Sequence, residues 1–81
     1  MENIFAQPGK PMPHGATIVN DGVNFSVFTR NGTSVILDIF QNPEDENPCF
    51  SYTFDPKINR TGDIWHVFLK GLKAGALYLY R

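Results

Sequence analysis

The two histidines and the single cysteine are the residues of this sequence best suited to bind a metal ion or to act as a base or nucleophile. His66 follows a tryptophan in an apolar run, while His14 lies among prolines and glycines. His14, Cys49 and His66 belong to unrelated segments and lack the spacing of a zinc site. No Ser or Cys nucleophile motif accompanies His66, which is therefore interpreted as a packed or interface histidine. The sequence predicts no metal, no cofactor and no catalytic residue.

Carboxylates are the other groups that could support catalysis. Glu44, Asp45 and Glu46 follow one another in a loop bounded by Pro43 and Pro48. A loop exposed to solvent is sufficient to explain three consecutive acidic residues. Hydrolysis of a glycosidic bond needs two carboxyl groups that face each other across a cleft. The remaining aspartates are scattered over predicted turns and strands, so this chain is predicted not to be an enzyme by itself.

Aromatic side chains could instead bind a ligand by stacking. Trp65, Tyr78 and Tyr80 are the candidates for carbohydrate binding, because sugar rings pack on flat aromatic faces and these side chains also carry a hydrogen-bonding group. The competing interpretation is that Trp65 is packed in the core or at an interface. The residues alone leave both interpretations open.

Alternating apolar residues and regularly spaced turn signals predict an all-β protein. No stretch of ten residues has helical periodicity, and strands recur about every ten residues, as in an antiparallel β-sandwich. An Asn-Gly turn after residue 30 predicts a hairpin between the second and third strands. Residues 1–15, rich in Pro and Gly, are predicted to form an extended arm. The predicted strands span residues 16–19, 23–29, 34–41, 49–54, 63–69 and 76–81.

The strand that contains Trp65 is apolar on both faces. Because successive side chains of a strand point in opposite directions, Trp65, Val67 and Leu69 share one face. The opposite face carries Ile64, His66 and Phe68. One face should pack into the core, and the other should be covered by a second layer or another domain.

Composition excludes several classes of function. Seven basic against eight acidic residues give a net charge of −1, so neither nucleic acid nor an anionic membrane is an expected partner. No apolar run is long enough to span a bilayer, and the N-terminus does not resemble a signal peptide. A single cysteine cannot form an internal disulfide, which suits a reducing compartment. A cytoplasmic location is expected.

Three segments together resemble one family. Residues 9–17, GKPMPHGAT, are similar to a "G-x-P-x-P-L-G-A" opening, and residues 21–28, DGVNFSVF, resemble a "G-V-N-F-S-V-F" strand. Residues 59–68, NRTGDIWHVF, match the most specific motif, "N-R-T-G-D-I-W-H-V-F". These motifs are typical of the N-terminal β-sandwich of isoamylase-type and glycogen-debranching enzymes, which is grouped as carbohydrate-binding module family 48.

The resemblance implies an early-set, immunoglobulin-like β-sandwich over residues 16–81, with the last strand incomplete. It also implies a catalytic (β/α)₈ domain elsewhere in a longer protein, which would cleave α-1,6 branch points of glycogen or similar α-glucans. That domain is the expected partner, and α-glucan is a second one. Sugar-binding members carry a Trp after the strand that matches residues 36–40, whereas Gln41 to Glu44 follow here.

Too many large apolar residues are present for one small core, which indicates an interface. The predicted role is therefore a non-catalytic module that packs against the catalytic domain and positions it. The alternatives are an autonomous glycogen- or starch-binding module and a protein-interaction sandwich unrelated to sugar. The residues predicted to form the domain interface are Phe28, Phe40, Trp65, His66 and Phe68.

Overall fold

The computed structural model describes residues 4–30, 34–73 and 75–81, and within these ranges all regular structure is β-strand. Every pairing between strands is antiparallel. The all-β prediction is therefore confirmed. The strands are β1 (Phe5–Gln7), β2 (Gly15–Val19), β3 (Gly22–Phe28), β4 (Ile36–Phe40), β5 (Phe50–Thr53), β6 (Arg60–Thr61), β7 (Ile64–Lys70) and β8 (Leu77–Tyr80).

The strands form two sheets that pack face to face as an antiparallel sandwich. Sheet one has the order β1-β7-β3-β2, with β6 paired to β7 as a fifth strand. Sheet two has three strands in the order β5-β4-β8. The strand that contains Trp65, β7, lies inside sheet one between β1 and β3.

The predicted hairpin between the second and third strands is wrong. The two strands concerned are β3 and β4, which lie in different sheets. β3 pairs with β2 over Gly22–Ser26 on one side and with β7 over Gly22–Phe28 on the other, so both of its neighbours are strands other than β4. Alternation reports which face of a strand is buried, and it does not identify the neighbouring strand. The turn residues 31–33 lie outside the described residues.

The core lies between the two sheets and follows the alternation of the strands. Trp65, Val67 and Leu69 of β7 are fully buried, as predicted for that face. Leu37 and Ile39 of β4 meet them from sheet two and are also fully buried. These side chains belong to one hydrophobic cluster, which makes β4 and β7 the central strand of each layer.

The N-terminal arm covers the outer face of sheet one. Its first part is a short edge strand, β1, which the sequence analysis did not distinguish from the extended arm because Pro and Gly dominate the segment. After Gln7 the chain crosses over β7 and β3 and then enters β2. We call residues 8–11, which make this crossing, the strap. The second cover predicted for β7 is therefore the chain's own arm.

The strap is held by side chains from the strands beneath it. Asn24 accepts a hydrogen bond from the Lys10 backbone N–H at 2.9 Å and donates one to the Lys10 carbonyl at 3.0 Å. Ser26 donates to the Pro11 carbonyl at 2.6 Å. These bonds explain why two polar residues of β3 are buried on its outward face.

Gly9 allows the strap to lie directly on β7. Its φ is +75°, and an added Cβ would lie 2.7 Å from both the Phe68 nitrogen and the Val67 carbonyl carbon. Gly9→Ala should therefore lower the free energy of unfolding by more than the roughly 1–2 kcal/mol that a left-handed conformation costs a residue with a Cβ. Gly15→Ala is the matched control, because Gly15 also has positive φ but has nothing within 4 Å of its Cβ position. Urea unfolding of both variants measures the difference, and equal losses would contradict close contact at Gly9.

Candidate functional site

Trp65 is a core residue. Its exposed fraction is 0%, and the ring meets Phe54 edge to face at 6.2 Å between centroids. The Arg60 guanidinium lies 4.9 Å from the centroid and so covers the ring. A sugar or a neighbouring domain could reach Trp65 only after the core opened.

Tyr78 and Tyr80 lie together on β8, but they do not form a flat platform. Their ring centroids are 5.7 Å apart, and the ring planes meet at 78°. Tyr78 is 38% exposed and also meets Phe25 edge to face at 5.0 Å. Burial of the Tyr80 hydroxyl, helped by the nearby Tyr78, raises the pKa of Tyr80 to about 12. The structure therefore brings two of the three candidate sugar-binding residues together and leaves Trp65 apart from them.

Both ring nitrogens of His66 form hydrogen bonds within the chain. Nδ1 donates to the Pro8 carbonyl at 2.7 Å, since a carbonyl oxygen can only accept. Nε2 lies 2.8 Å from Thr61 Oγ1 and accepts from that hydroxyl when the imidazole is neutral. His66 thus joins the strap to β6.

The phenylalanines predicted to form a domain interface are divided between the two sheets, with Phe28 and Phe68 on the outer face of sheet one and Phe40 in sheet two. Phe28 is at the end of β3, opposite Ile64 of β7, and is exposed. Phe68 lies half-buried on the outer face of sheet one beside the strap, whereas Phe40 is half-buried at the end of β4 in sheet two. The structure does not bring the predicted interface residues into one patch.

An apolar patch that the sequence analysis missed surrounds Phe40. Leu77 lies opposite Phe40 in the β4–β8 register and is 39% exposed, and Leu79, two residues farther along β8, is 63% exposed. We call Phe40, Leu77 and Leu79 the β4–β8 face. The signal was present in the sequence, because residues 77–80 are apolar or aromatic at every position and so cannot bury both faces in one core.

A groove of about 400 Å³ runs beside the β4–β8 face. The turn after β4 forms one wall of the groove. Asp45 stabilises this turn by accepting a hydrogen bond from the Asn42 N–H at 3.1 Å. Asp45 is the charged side chain among the described residues that line the groove. The groove is lined by Phe40, Asn42, Pro43, Asp45, Ala76, Leu77, Tyr78 and Leu79.

A buried carboxylate lies on the same outer face of sheet two. Asp38 accepts hydrogen bonds from Arg81 Nε at 2.5 Å and from the Ser51 hydroxyl at 2.6 Å. The hydrogen bond from Arg81 lowers the pKa of Asp38 from its usual value; burial opposes this shift, and the hydrogen bond from Ser51 adds to it. These partners engage both carboxylate oxygens and explain how Asp38 is buried without a catalytic role.

Comparison with known proteins identifies the chain's family. The sequence profile described as "Carbohydrate-binding module 48 (Isoamylase N-terminal domain)" matches residues 13–81. The chain belongs to the carbohydrate-binding module 48 family. The resemblance predicted from the three motifs is therefore confirmed.

Relatives of this family 48 module are named as isoamylases and debranching enzymes. The chain is 41% identical to "Isoamylase 1, chloroplastic" from Arabidopsis thaliana over 99% of its length. It is 42% identical to "Isoamylase 3, chloroplastic" from Oryza sativa subsp. japonica over 90%. It is 38% identical to "Glycogen debranching enzyme" from Serratia proteamaculans (strain 568) over 91%. In each case the module spans 10% of the relative's length.

Within residues 4–30, 34–73 and 75–81, no three or more His, Cys, Asp or Glu side chains are grouped so that they could hold a metal ion. Across the same ranges, no helix is long and apolar enough to cross a membrane.

The Asp38–Arg81 contact should make the stability of this family 48 module sensitive to acid. The pKa of Asp38 is lowered on folding, so its contribution is complete above the unfolded pKa and is lost as pH falls through the folded value. The free energy of unfolding should therefore drop below about pH 4. Urea unfolding from pH 7 to pH 2 checks this, with Asp38→Asn as the comparison. An acid loss of the same size in Asp38→Asn would show that other carboxylates cause it.

Proposed function

We propose that this chain is a non-catalytic module of an isoamylase-type debranching protein, and that it packs against the catalytic domain and positions it. The observation that carries the proposal is the exposed β4–β8 face, where Leu77 and Leu79 point away from the core beside Phe40. Apolar side chains grouped in this way on a soluble domain usually mark an interface. The relatives are about ten times longer than the chain, so each has the length for a further domain.

The parent protein would act on α-1,6 branch points of glycogen or a similar α-glucan. This step rests on the relatives, two of which are named isoamylases and one a glycogen debranching enzyme. The non-catalytic part of the proposal fits the chain itself, because both oxygens of its buried Asp38 are engaged in structural hydrogen bonds.

Autonomous glucan binding is the second candidate, and the exposure of Tyr78 favours it. Stacking on a sugar needs a free aromatic face, and Tyr78 already uses part of its surface against Phe25 and Tyr80. Trp65, the largest candidate, is fully buried. Calorimetric titration of the folded chain with maltoheptaose and glycogen separates the candidates, and a saturable heat would establish glucan binding.

Replacing Leu79 by glutamate tests the packing role in the full-length protein. A carboxylate placed in an apolar interface loses its hydration without gaining a partner, so the contact should weaken by several kcal/mol. The thermal midpoint and the debranching rate of the full-length protein should both fall. The midpoint should fall by more than in the 81-residue chain, where the new carboxylate only meets Asp38, its cross-strand neighbour.

Ile58→Glu is the matched control, because Ile58 is 52% exposed and lies away from the β4–β8 face. It should change neither the thermal midpoint nor the debranching rate. Equal effects of the two substitutions, or no effect of Leu79→Glu, would contradict docking through this face.

A further inference from the structure

We infer that β2, the edge strand of sheet one, pairs with the β2 strand of a second copy of the chain and so forms a symmetric dimer. In sheet one, β2 pairs with β3 on one side, and no described strand covers its other side. This edge belongs to sheet one, so the contact is separate from the β4–β8 face of sheet two and goes beyond the proposed packing function.

Backbone hydrogen bonds at the two ends of β3 show which of its residues bond to β7. The Gly71 N–H donates to the Asp21 carbonyl at 2.7 Å, and the Thr29 N–H donates to the Asp63 carbonyl at 3.0 Å. Both bonds continue the register between β3 and β7. Because residues of a strand direct their backbone groups alternately to its two neighbours, the odd-numbered residues of β3 bond to β7 and the even-numbered ones bond to β2.

The same alternation shows which backbone groups of β2 face the free edge. The even-numbered residues of β3 lie opposite Gly15, Thr17 and Val19, so these three residues of β2 bond to β3. Ala16 and Ile18, which lie between them, direct their N–H and C=O groups away from β3. The free edge therefore offers two donors and two acceptors to an added strand.

The edge lacks the devices that normally prevent pairing with another chain. Natural edge strands are protected by charged side chains, proline, bulges or very short length. Residues 15–19 read Gly-Ala-Thr-Ile-Val, with neither a charge nor a proline, and their pairing with β3 has no bulge. Ile18 and Val19 are 64% and 46% exposed, so the strand also leaves two large apolar side chains in water.

One antiparallel register of two β2 strands uses every free backbone group. With the two-fold axis at Thr17, Ala16 of each copy lies opposite Ile18 of the other and exchanges two hydrogen bonds with it. Moving the axis to Ile18 would place Ala16 opposite Asn20, and moving it to Ala16 would place Ile18 opposite His14. Asn20 and His14 lie outside β2, so the register centred on Thr17 is the one that pairs both free residues within the strand.

Side-chain size selects a second copy as the occupant of the edge. Small residues lie at the start of β2 and large ones at its end, so the antiparallel register places large side chains opposite small ones. Val19 meets Gly15, where no other part of the chain lies within 4 Å of the Cβ position, and Ile18 meets Ala16. The two Thr17 side chains meet at the axis, where a cross-strand threonine pair is favourable. An identical strand thus buries both exposed apolar side chains.

The charges near the edge permit this pairing. Continued beyond the strand, the same register places Asp21 opposite Pro13 and Asn20 opposite His14 of the second copy. No acidic side chain of residues 13–21 then faces another acidic one. Each copy has a net charge of only −1, so repulsion between the two copies is small.

Disulfide cross-linking tests the register. Thr17→Cys and Val19→Cys are each prepared with Cys49→Ser, which removes the native exposed thiol. At the axis, the two Thr17 Cα atoms form a pair without hydrogen bonds, at about 4.5 Å, which suits a disulfide. The two Val19 positions would be about 14 Å apart along the strands. In one glutathione buffer, Thr17→Cys should form the covalent dimer about tenfold faster or more, although Val19 is the more exposed position.

Equal cross-linking of the two cysteine variants would overturn the inference, because collisions between copies would then explain the covalent dimer. Cross-linking of Thr17→Cys in the 81-residue chain but not in the full-length protein would overturn it as well. Another part of the parent protein would in that case cover the edge.

Sedimentation equilibrium tests the pairing without a cross-link. The apparent mass of the unmodified chain should rise from one copy to two with concentration. Ile18→Lys should raise the dimer Kd about tenfold or more, because a charge on an edge strand opposes pairing. Ile58→Lys is the matched control, since Ile58 is 52% exposed and lies outside β2. A monomer at every concentration, or equal effects of the two substitutions, would overturn the inference.

Discussion

Replacing Trp65 by alanine is expected to lower the free energy of unfolding of the 81-residue chain by about 3–5 kcal/mol. Trp65 is fully buried between Phe54 and the Arg60 guanidinium, and its removal leaves a cavity at the centre of sheet one. A domain of this length has a total stability of only about 4–12 kcal/mol, so the variant should be largely unfolded at modest urea concentrations. Urea unfolding followed by circular dichroism measures the loss.

Two further substitutions keep the Trp65 prediction testable if the alanine variant does not fold. Trp65→Phe retains part of the ring and should lose less than the alanine variant. Phe28→Ala removes a large side chain that is mostly exposed, and it should cost under about 1 kcal/mol. A loss near zero for Trp65→Ala would contradict the core position of the ring.

Replacing Asn59 by alanine is expected to cost about 3 kcal/mol or more, because each buried polar group left without a partner costs about 1–3 kcal/mol. Asn59 is fully buried and satisfies three groups with its side chain. Its Oδ1 accepts from the Tyr52 hydroxyl at 2.7 Å and from the Asp55 N–H at 2.8 Å, while Nδ2 donates to the His66 carbonyl at 3.0 Å. The amide thus joins β5, the following turn and β7.

Tyr52→Phe and Asn59→Asp separate these bonds. Tyr52→Phe removes one bond to Asn59 and should cost about 1 kcal/mol. Asn59→Asp preserves the shape of the side chain but replaces the donor that faces the His66 carbonyl. The decrease in its free energy of unfolding should therefore approach that of Asn59→Ala. Urea unfolding gives the free energy of unfolding of the three variants. If Asn59→Ala lowered it no more than Tyr52→Phe does, the Asn59 amide would not join the three segments.

Alternation predicted β3 and β7 well because the apolar side chains that enter the core recur at every second position, as Val23 and Phe25 do in β3 and Trp65, Val67 and Leu69 do in β7. The predicted strand over 23–29 corresponds to β3 (Gly22–Phe28), and that over 63–69 corresponds to β7 (Ile64–Lys70). The pairing of β3 could not be predicted in the same way, since its partners β2 and β7 are chosen by packing across the whole sandwich. The three residues of β1 are too few for a periodic pattern to appear.

The contacts of His66 could not be predicted from the sequence, because its partners include a residue that is remote along the chain. Its bond to the Pro8 carbonyl joins residues 58 positions apart. The sequence indicated that the outward face of β7 needed a cover, but nothing in it specified that the arm would supply one. Gly9 was the available clue, because a glycine is required where one backbone lies directly on another.

The candidate site was predicted only in part. Phe40 was singled out because the strands that surround the core carry more aromatic residues than one core can hold, and it does lie on the β4–β8 face. Leu77 and Leu79 were overlooked beside the tyrosines that alternate with them. The choice between inward and outward faces of β8 depends on its register with β4, which the sequence does not contain.

The accessibility of position 79 tests the central claim most directly. Leu79→Cys is prepared with Cys49→Ser, which removes the native exposed thiol, and the rate of alkylation is compared between the 81-residue chain and the full-length protein. Ile58→Cys in the same background is the control. Packing of the β4–β8 face predicts alkylation at position 79 that is at least tenfold slower in the full-length protein, with no change at position 58. Equal rates at position 79 in the two proteins would contradict the claim that the rest of the protein covers this face.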